Sequence, residues 1–283
     1  MKHRTGIFFS DLDGTLIDKF GNISQRDLNS LKTLKDLNIL RVIATGRSYF
    51  SAKKIIKEDF PIDYLICSTG SLTLKWPSEE VLEKHNLEVQ ETEFAVNVFK
   101  DHKLDFVVLH EALESHKYDL FIYNKPHPDI LRRNKFYRGH YRHREYNYKI
   151  SRKSCQLIGF IDKNDELFNE LKEKLSNYNI IPTTSPIDDE AVWVEVYPKH
   201  VSKGSGVTNI CSRLGIEIEK SGGIGNDIND LEMLKTVKYP FVVESGHKKL
   251  KKLFKKVADH KNSGVSEAIE IFLKSISGEF IDK

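Results

Sequence analysis

The stretch Ile7-Phe8-Phe9-Ser10-Asp11-Leu12-Asp13-Gly14-Thr15-Leu16 sets an apolar run directly before two acids separated by one residue. A strand buried on both faces reads as a near-continuous apolar run, and open α/β sheets place their chemistry beyond the carboxyl ends of such strands. A parallel sheet is therefore expected around this segment, with Asp11 and Asp13 at its tip. Side chains alternate along extended backbone, so both carboxylates can converge only if the chain turns at once, which Gly14 permits. Two converging acids can hold a hard cation while one attacks and the other moves protons. A calcium-binding loop would carry its glycine later, need a further Glu and follow a helix, and none of this holds. A polar turn after a strand is the remaining simple reading. The rest of the chain decides between them.

Ser24 and Asp27 form a capping pair ahead of Leu28, Leu31, Leu34 and Leu37, so residues 24–38 are expected to be an amphipathic helix. Leu40 to Ala44 reads as a strand ending in Thr45-Gly46-Arg47-Ser48, followed by a helix over about 48–58. Tyr64 to Cys67 is a third strand, ending in Ser68-Thr69-Gly70-Ser71. Strand, helix and strand in alternation imply a parallel sheet.

After Trp76-Pro77 the rhythm changes: a helix over 88–102, strands at 104–110 and 118–123 with no helix between them, a strand at 155–161, and a helix over 165–177. Asn179 to Thr184 and Ala191 to Tyr197 read as closing strands that lead back to the core. This is the pattern of an α+β module inserted in an α/β chain. The expected division is a core of residues 1–82 and 191–283 around an insertion of residues 83–190. Past Pro198, Lys203-Gly204-Ser205-Gly206 opens a helix to Leu214. Ser221-Gly222-Gly223-Ile224-Gly225, a weak strand by composition, then runs into Asn226-Asp227-Ile228-Asn229-Asp230. A last strand at Tyr239 to Val243 and a helix carrying Ala268, Ile269, Phe272 and Leu273 complete the chain.

With 283 residues the chain can bury a core and an insertion, and 44 Lys+Arg against 41 Asp+Glu leave a formal charge of +3, too small to argue for nucleic acid. Cys67, Cys155 and Cys211 are odd in number and lack Cys-x-x-Cys spacing, which suggests neither disulfides nor zinc. No apolar run approaches a membrane span, and Met-Lys-His-Arg enters the first strand without an apolar leader, so a cytoplasmic location is expected.

Four polar clusters thus lie at strand ends or helix starts of one sheet: Asp11/Asp13, Thr45/Gly46, Lys203, and Asn226 to Asp230. Taken singly, Thr45 could be a helix N-cap and Lys203 a solvated charge; jointly, their order and types resemble the signature motifs of the haloacid dehalogenase superfamily of phosphatases. The resemblance covers nearly the whole chain, and the insertion resembles the C2B-type cap of the branch with Cof-type hydrolases and sugar phosphatases such as sucrose-phosphate and mannosyl-phosphoglycerate phosphatases. It implies a Rossmann-like α/β core with a parallel sheet and an α+β C2-type cap. It further implies a magnesium-dependent phosphatase acting on a small phosphorylated metabolite, a sugar phosphate or related phosphorylated acid. By that likeness Asp11 attacks phosphorus to give an aspartyl-phosphate, and Asp13 protonates the leaving oxygen and then activates water. Thr45 and the Gly46 amide donate to phosphoryl oxygens, Lys203 neutralises charge, and Arg47 and Asn229 lie near the substrate. Mg2+ would sit between Asp11, the main-chain carbonyl of Asp13 and the loop 226–230.

One departure bears on that metal. Relatives carry Gly-Asp-x-x-Asn-Asp in the fourth motif, and Asn226 stands where the first acid belongs. Either the cation is held more weakly, or Asp227 turns inward and substitutes. Asp230 then orients Lys203 or holds a metal-bound water.

Between Lys125 and Lys153 stand Arg132, Arg133, Lys135, Arg138, Arg142, Arg144, Lys149 and Arg152, opposed only by Asp129 and Glu145, with four tyrosines interleaved. An anionic substrate clamped by the cap, nucleic acid and a solvated surface loop all fit this composition, and nucleic acid is not the expected partner. Two other functions remain open: a phosphomutase sharing the first step, and a weakened relative that grips an anionic partner through these residues. The sequence leaves the substrate's identity and the oligomeric state open.

Overall fold

The computed structural model describes residues 5–184 and 191–278. In chain order the strands are β1 Gly6–Ser10, β2 Ile39–Ala44, β3 Tyr64–Cys67, β4 Leu72–Lys75, β5 Val81–Lys84, β6 Asp105–Leu109 and β7 Tyr118–Phe121. Then follow β8 Tyr141–His143, β9 Leu157–Asp162, β10 Tyr178–Thr184, β11 Ala191–Pro198, β12 Ser221–Gly225, β13 Tyr239–Val243 and β14 Lys255–Val257. The described residues form two compact units, one within 5–46, 54–83 and 202–278, the other within 47–53, 84–184 and 191–201.

The first unit is built on an eight-stranded sheet in the order β14-β13-β12-β1-β2-β3-β4-β5. β1 runs parallel to β2 and β12 and is wholly buried, which is why its sequence reads as unbroken apolar. The pairings from β14 through β3 are parallel, and β4 folds back antiparallel on β3. That last hairpin has no counterpart in the sequence reading. Ile7, Phe9, Val42 and Ile66 pack beneath Val207, Ile210, Met233 and Leu234 in one continuous core cluster.

β12 corrects the judgement that its segment is a poor strand. It is central and fully buried, and glycine is what its surroundings demand. A Cβ at Gly222 would lie 2.8 Å from the rings of both Phe8 and Phe272, and one at Gly223 would lie 3.1 Å from Val237. The missing apolar side chains are supplied by neighbours. The helix expected over 48–58 is also shorter, ending at Ala52. From Lys53 the chain turns instead, and Ile56 and Ile62 are buried.

The second unit carries a six-stranded sheet in the order β10-β11-β9-β6-β7-β8. Helices Val89–Asp101 and Asp165–Lys174 cover one face through Ala95, Val96, Phe99 and Leu171, against Phe106, Val108, Phe121, Val194 and Val196. The end of the insertion expected at residue 190 lies outside the described residues. β11, which starts at Ala191, pairs on both edges within this sheet, so the chain re-enters the first unit only at Ser202. The basic segment is partly structured, with a helix at Pro128–Phe136 and edge strand β8. Much of its charge is already engaged: Asp119, fully buried, pairs with both Arg144 and Arg152, and Arg133 stacks on the rings of Tyr118, Tyr137 and Trp193.

All three cysteines are free and buried. No described helix is long and apolar enough to cross a membrane.

Candidate active site

β1 delivers Asp11 to the carboxyl edge of the first unit's sheet, where its amide donates to the Ile224 carbonyl at 2.9 Å. Asp11 is 4% exposed. Its Oδ1 accepts a bond of 2.6 Å from Lys203 Nζ, which donates a second of 2.6 Å to Asp230 Oδ1. Lys203 opens the helix Lys203–Leu214, whose start is fixed by a reciprocal cap between Ser202 and Ser205, and is itself completely buried. Asp230 Oδ2 accepts from the amides of Asn226 at 2.8 Å and Asp227 at 3.0 Å. Both Asp230 oxygens thus help to hold Lys203 and the turn before it. Asp11 Oδ2 is different: it is buried and has no hydrogen-bond partner.

Two carboxylates around one ammonium leave this buried cluster one positive charge short. Burial pushes the Asp11 carboxyl up to about 7, helped by the neighbouring Asp230 charge and opposed by Lys203. Burial would lower Lys203, but Asp11 and Asp230 outweigh it and hold the ammonium above its ordinary range. Burial likewise raises Asp227.

The glycines show how the motifs meet. Gly14 has φ +74°, and a Cβ there would sit 2.6 Å from Asn226 Nδ2. Asn226 therefore lies against the turn that follows Asp11 and Asp13. A Cβ at Gly225 would meet the Asp230 carboxylate at 2.6 Å, and one at Gly46 would lie 3.5 Å from Asn229 Nδ2 and 3.6 Å from Thr69 Oγ1. Thr45 is buried, and its carbonyl accepts from the Thr69 amide at 3.1 Å.

Among the residues singled out from sequence, Asp11, Lys203, Asp230 and Asn226 form one cluster, and Thr45, Gly46 and Asn229 a second. Asp13 is partly buried and forms a bridge with Ile17 in the turn. Asp227 spends Oδ1 on the Ile228 amide, at 2.7 Å, as the cap of a short helical turn. Arg47 belongs to the second unit and donates to Ser51 Oγ at 3.3 Å. The sequence reading left out Thr69 as a site residue. Its signal was the polar cluster Ser68-Thr69-Gly70-Ser71 at a strand end, in which Ser68 and Thr69 are buried at φ +46° and +57°, a conformation non-glycine residues rarely hold.

No three His, Cys, Asp or Glu side chains gather as a metal cage among the described residues. The fit to a hard cation rests instead on the unpartnered Asp11 Oδ2, the deficit of positive charge and the Asn226 amide beside the turn. Magnesium needs only one or two carboxylates and keeps several waters, so this donor set suits it.

A family model described as haloacid dehalogenase-like hydrolase matches residues 8–269. An HMP-PP phosphatase from Enterobacter sp. is 26% identical over 241 residues, covering 80% of this chain and 79% of its own. The 5-amino-6-(5-phospho-D-ribitylamino)uracil phosphatase of Bacillus subtilis is 21% identical over 226 residues, covering 80% and 78%. Among solved structures, the phosphatase BT1666 from Bacteroides thetaiotaomicron superposes with a TM-score of 0.77 at 18% identity, over 94% of each chain. The subclass IIB sugar phosphatase BT4131 gives 0.74 at 19%, over 96% of this chain and 99% of its own. At these identities the two structures establish the fold.

Proposed function

Because the chain belongs to the haloacid dehalogenase-like hydrolases, we propose that it is a phosphatase that cleaves the monoester of a small phosphorylated metabolite, with Asp11 as nucleophile. The observation that carries this reading is the state of the Asp11 carboxylate: Lys203 fixes Oδ1 and with it the group's orientation, while Oδ2 stays buried and uncommitted. In the first step an Asp11 oxygen bonds to phosphorus as the ester oxygen leaves, taking a proton from Asp13. In the second, Asp13 removes a proton from the water that attacks phosphorus, and Asp11 is released. The Thr45 side chain and the Gly46 amide donate to phosphoryl oxygens, and Asn229, beside Gly46, meets the same group. Arg47 would contact the substrate from the segment that follows.

Mg2+ would be held by Asp11, the main-chain carbonyl of Asp13 and Asn226, with Asp230 and Asp227 as further candidates on the same loop; bound there, it supplies the missing positive charge and polarises the phosphoryl group. The position of the Asn226 side chain against Gly14, and the commitment of Asp227 to a helix cap, favour Asn226 over Asp227. On this reading Asn226→Ala weakens magnesium affinity and Asp227→Ala leaves it nearly unchanged in a calorimetric titration; the reverse order would refute the assignment.

The substrates printed in the relatives' names, HMP-PP, a phosphoribitylaminouracil and sugar phosphates, agree with a small phosphorylated metabolite. The rival reading, a protein that grips an anionic partner through its basic segment, loses support because Arg144 and Arg152 are paired with Asp119. Release of phosphate from p-nitrophenyl phosphate tests the proposal. We expect turnover that needs added Mg2+ and falls roughly a thousandfold or more in Asp11→Asn; activity retained in that variant would overturn it.

A further inference from the structure

Past the end of β3 the backbone is strained. Ser68, Thr69 and Gly70 hold φ +46°, +57° and +109° in succession, and such backbone costs a non-glycine residue on the order of 1–3 kcal/mol. The surroundings enforce it. Ser68 and Thr69 are buried, and the Ser71 amide closes the turn on the Ser68 carbonyl at 3.0 Å. A Cβ at Gly70 would collide with the carbonyl of Ser202, the cap of the helix that Lys203 opens. This packing explains how the strain persists, not what it achieves.

Its product is one backbone hydrogen bond. The Thr69 amide donates to the Thr45 carbonyl at 3.1 Å, just past the Thr45 amide, which donates to the Ile66 carbonyl at 2.9 Å. The Thr45 carbonyl and the Gly46 N–H are the two ends of a single peptide unit. That unit is trans and planar, so its N–H points away from the side on which the Thr69 amide lies. Gly46, without a Cβ, would otherwise let the peptide rotate. Among the described residues the Gly46 amide meets no acceptor, and the residue is exposed, so this N–H is presented to a ligand. A hydrogen bond accepted at the carbonyl also polarises the donor at the other end of the amide.

We propose that Thr69 is a positioning residue for phosphoryl transfer: its main-chain amide, presented by the left-handed run 68–70, holds the Thr45–Gly46 peptide with the Gly46 N–H turned to the phosphoryl group. This role rests on the phosphatase reading of the site. The N–H alone is deleted by replacing Thr69 with its α-hydroxy-acid analogue through suppressed-codon translation, which turns the amide into an ester and keeps the side chain. With p-nitrophenyl phosphate and Mg2+, kcat of the folded enzyme should fall roughly tenfold or more, part of the roughly hundred- to thousandfold lost with a whole oxyanion donor. KM should change by no more than about threefold, because the misaimed donor acts mainly in the transition state. Thr69→Gly keeps the N–H and takes positive φ without strain, so its kcat should lie several-fold above that of the ester. The same ester at Ser71 removes the bond from Ser71 to Ser68 but leaves the Thr69 amide in place, so it should lower stability and spare kcat. An unchanged kcat in the Thr69 ester, an equal loss in Thr69→Gly, or an equal loss in the Ser71 ester would each overturn the proposal. In all three cases wild-type turnover that depends on Asp11 leaves the phosphatase reading standing, whereas a wild type without turnover would remove both.

Discussion

Lys203 is a cation with no exposed surface held between Asp11 and Asp230. Removing one partner of a buried ion cluster leaves the others uncompensated, at about 3–5 kcal/mol. Lys203→Ala should therefore lower the urea unfolding free energy by about that amount, and adding Asp230→Asn should recover part of it, since one of the two stranded charges is then gone. Asp11→Asn keeps a hydrogen-bond acceptor for Lys203 and relieves a carboxyl that burial already disfavours, so it should change stability by about 1 kcal/mol or less while removing activity. A single-residue deficit that tracked stability alone would point to a structural cluster. At this scale the acids of the first motif were legible because strand and turn are local. The division of labour around Lys203 was not. That both Asp230 oxygens are engaged by two amides and Lys203, while Asp11 keeps one oxygen free, depends on the path of the loop 226–230.

Among the elements, β12 shows where composition misleads. Three glycines in a five-residue strand read as weak, yet the strand is central because Phe8 of β1 and Phe272 of the last helix occupy the space over Gly222. Gly222→Ala should cost about 1–3 kcal/mol through overpacking, and Phe272→Leu, costly alone, should partly offset it in the double variant, as measured by chemical denaturation. Simple additivity of the two would argue against this packing. The amphipathic helices Gln25–Asp36, Val89–Asp101 and Lys203–Leu214 were readable from apolar spacing and caps. The helix Pro128–Phe136 was not. It buries Asp129 and Ile130 while leaving Leu131 and Phe136 largely exposed, so its sequence offers a charged run rather than a clear stripe.

For the whole molecule, the change from alternating strands and helices to consecutive strands after Trp76-Pro77 correctly announced a second sheet. Its end was harder to read, since β11 is an apolar strand that either sheet could have taken, and pairing with β9 and β10 decides the matter. The grouping of residues 47–53 was not foreseen, although a helix was expected there. They follow Thr45 and Gly46 yet group with the second unit, where Phe50 stacks on His116 at 4.5 Å between ring centroids.

What joins these scales is the claim that Asp11 itself carries the phosphoryl group during turnover. Acid quenching of the enzyme during p-nitrophenyl phosphate hydrolysis with Mg2+, followed by peptide mass spectrometry, reads this directly. The expected result is a phosphoryl adduct on Asp11 that vanishes in Asp11→Asn. Steady turnover with the adduct on another residue, or with none even after Asp13→Ala has slowed its breakdown, would contradict the account.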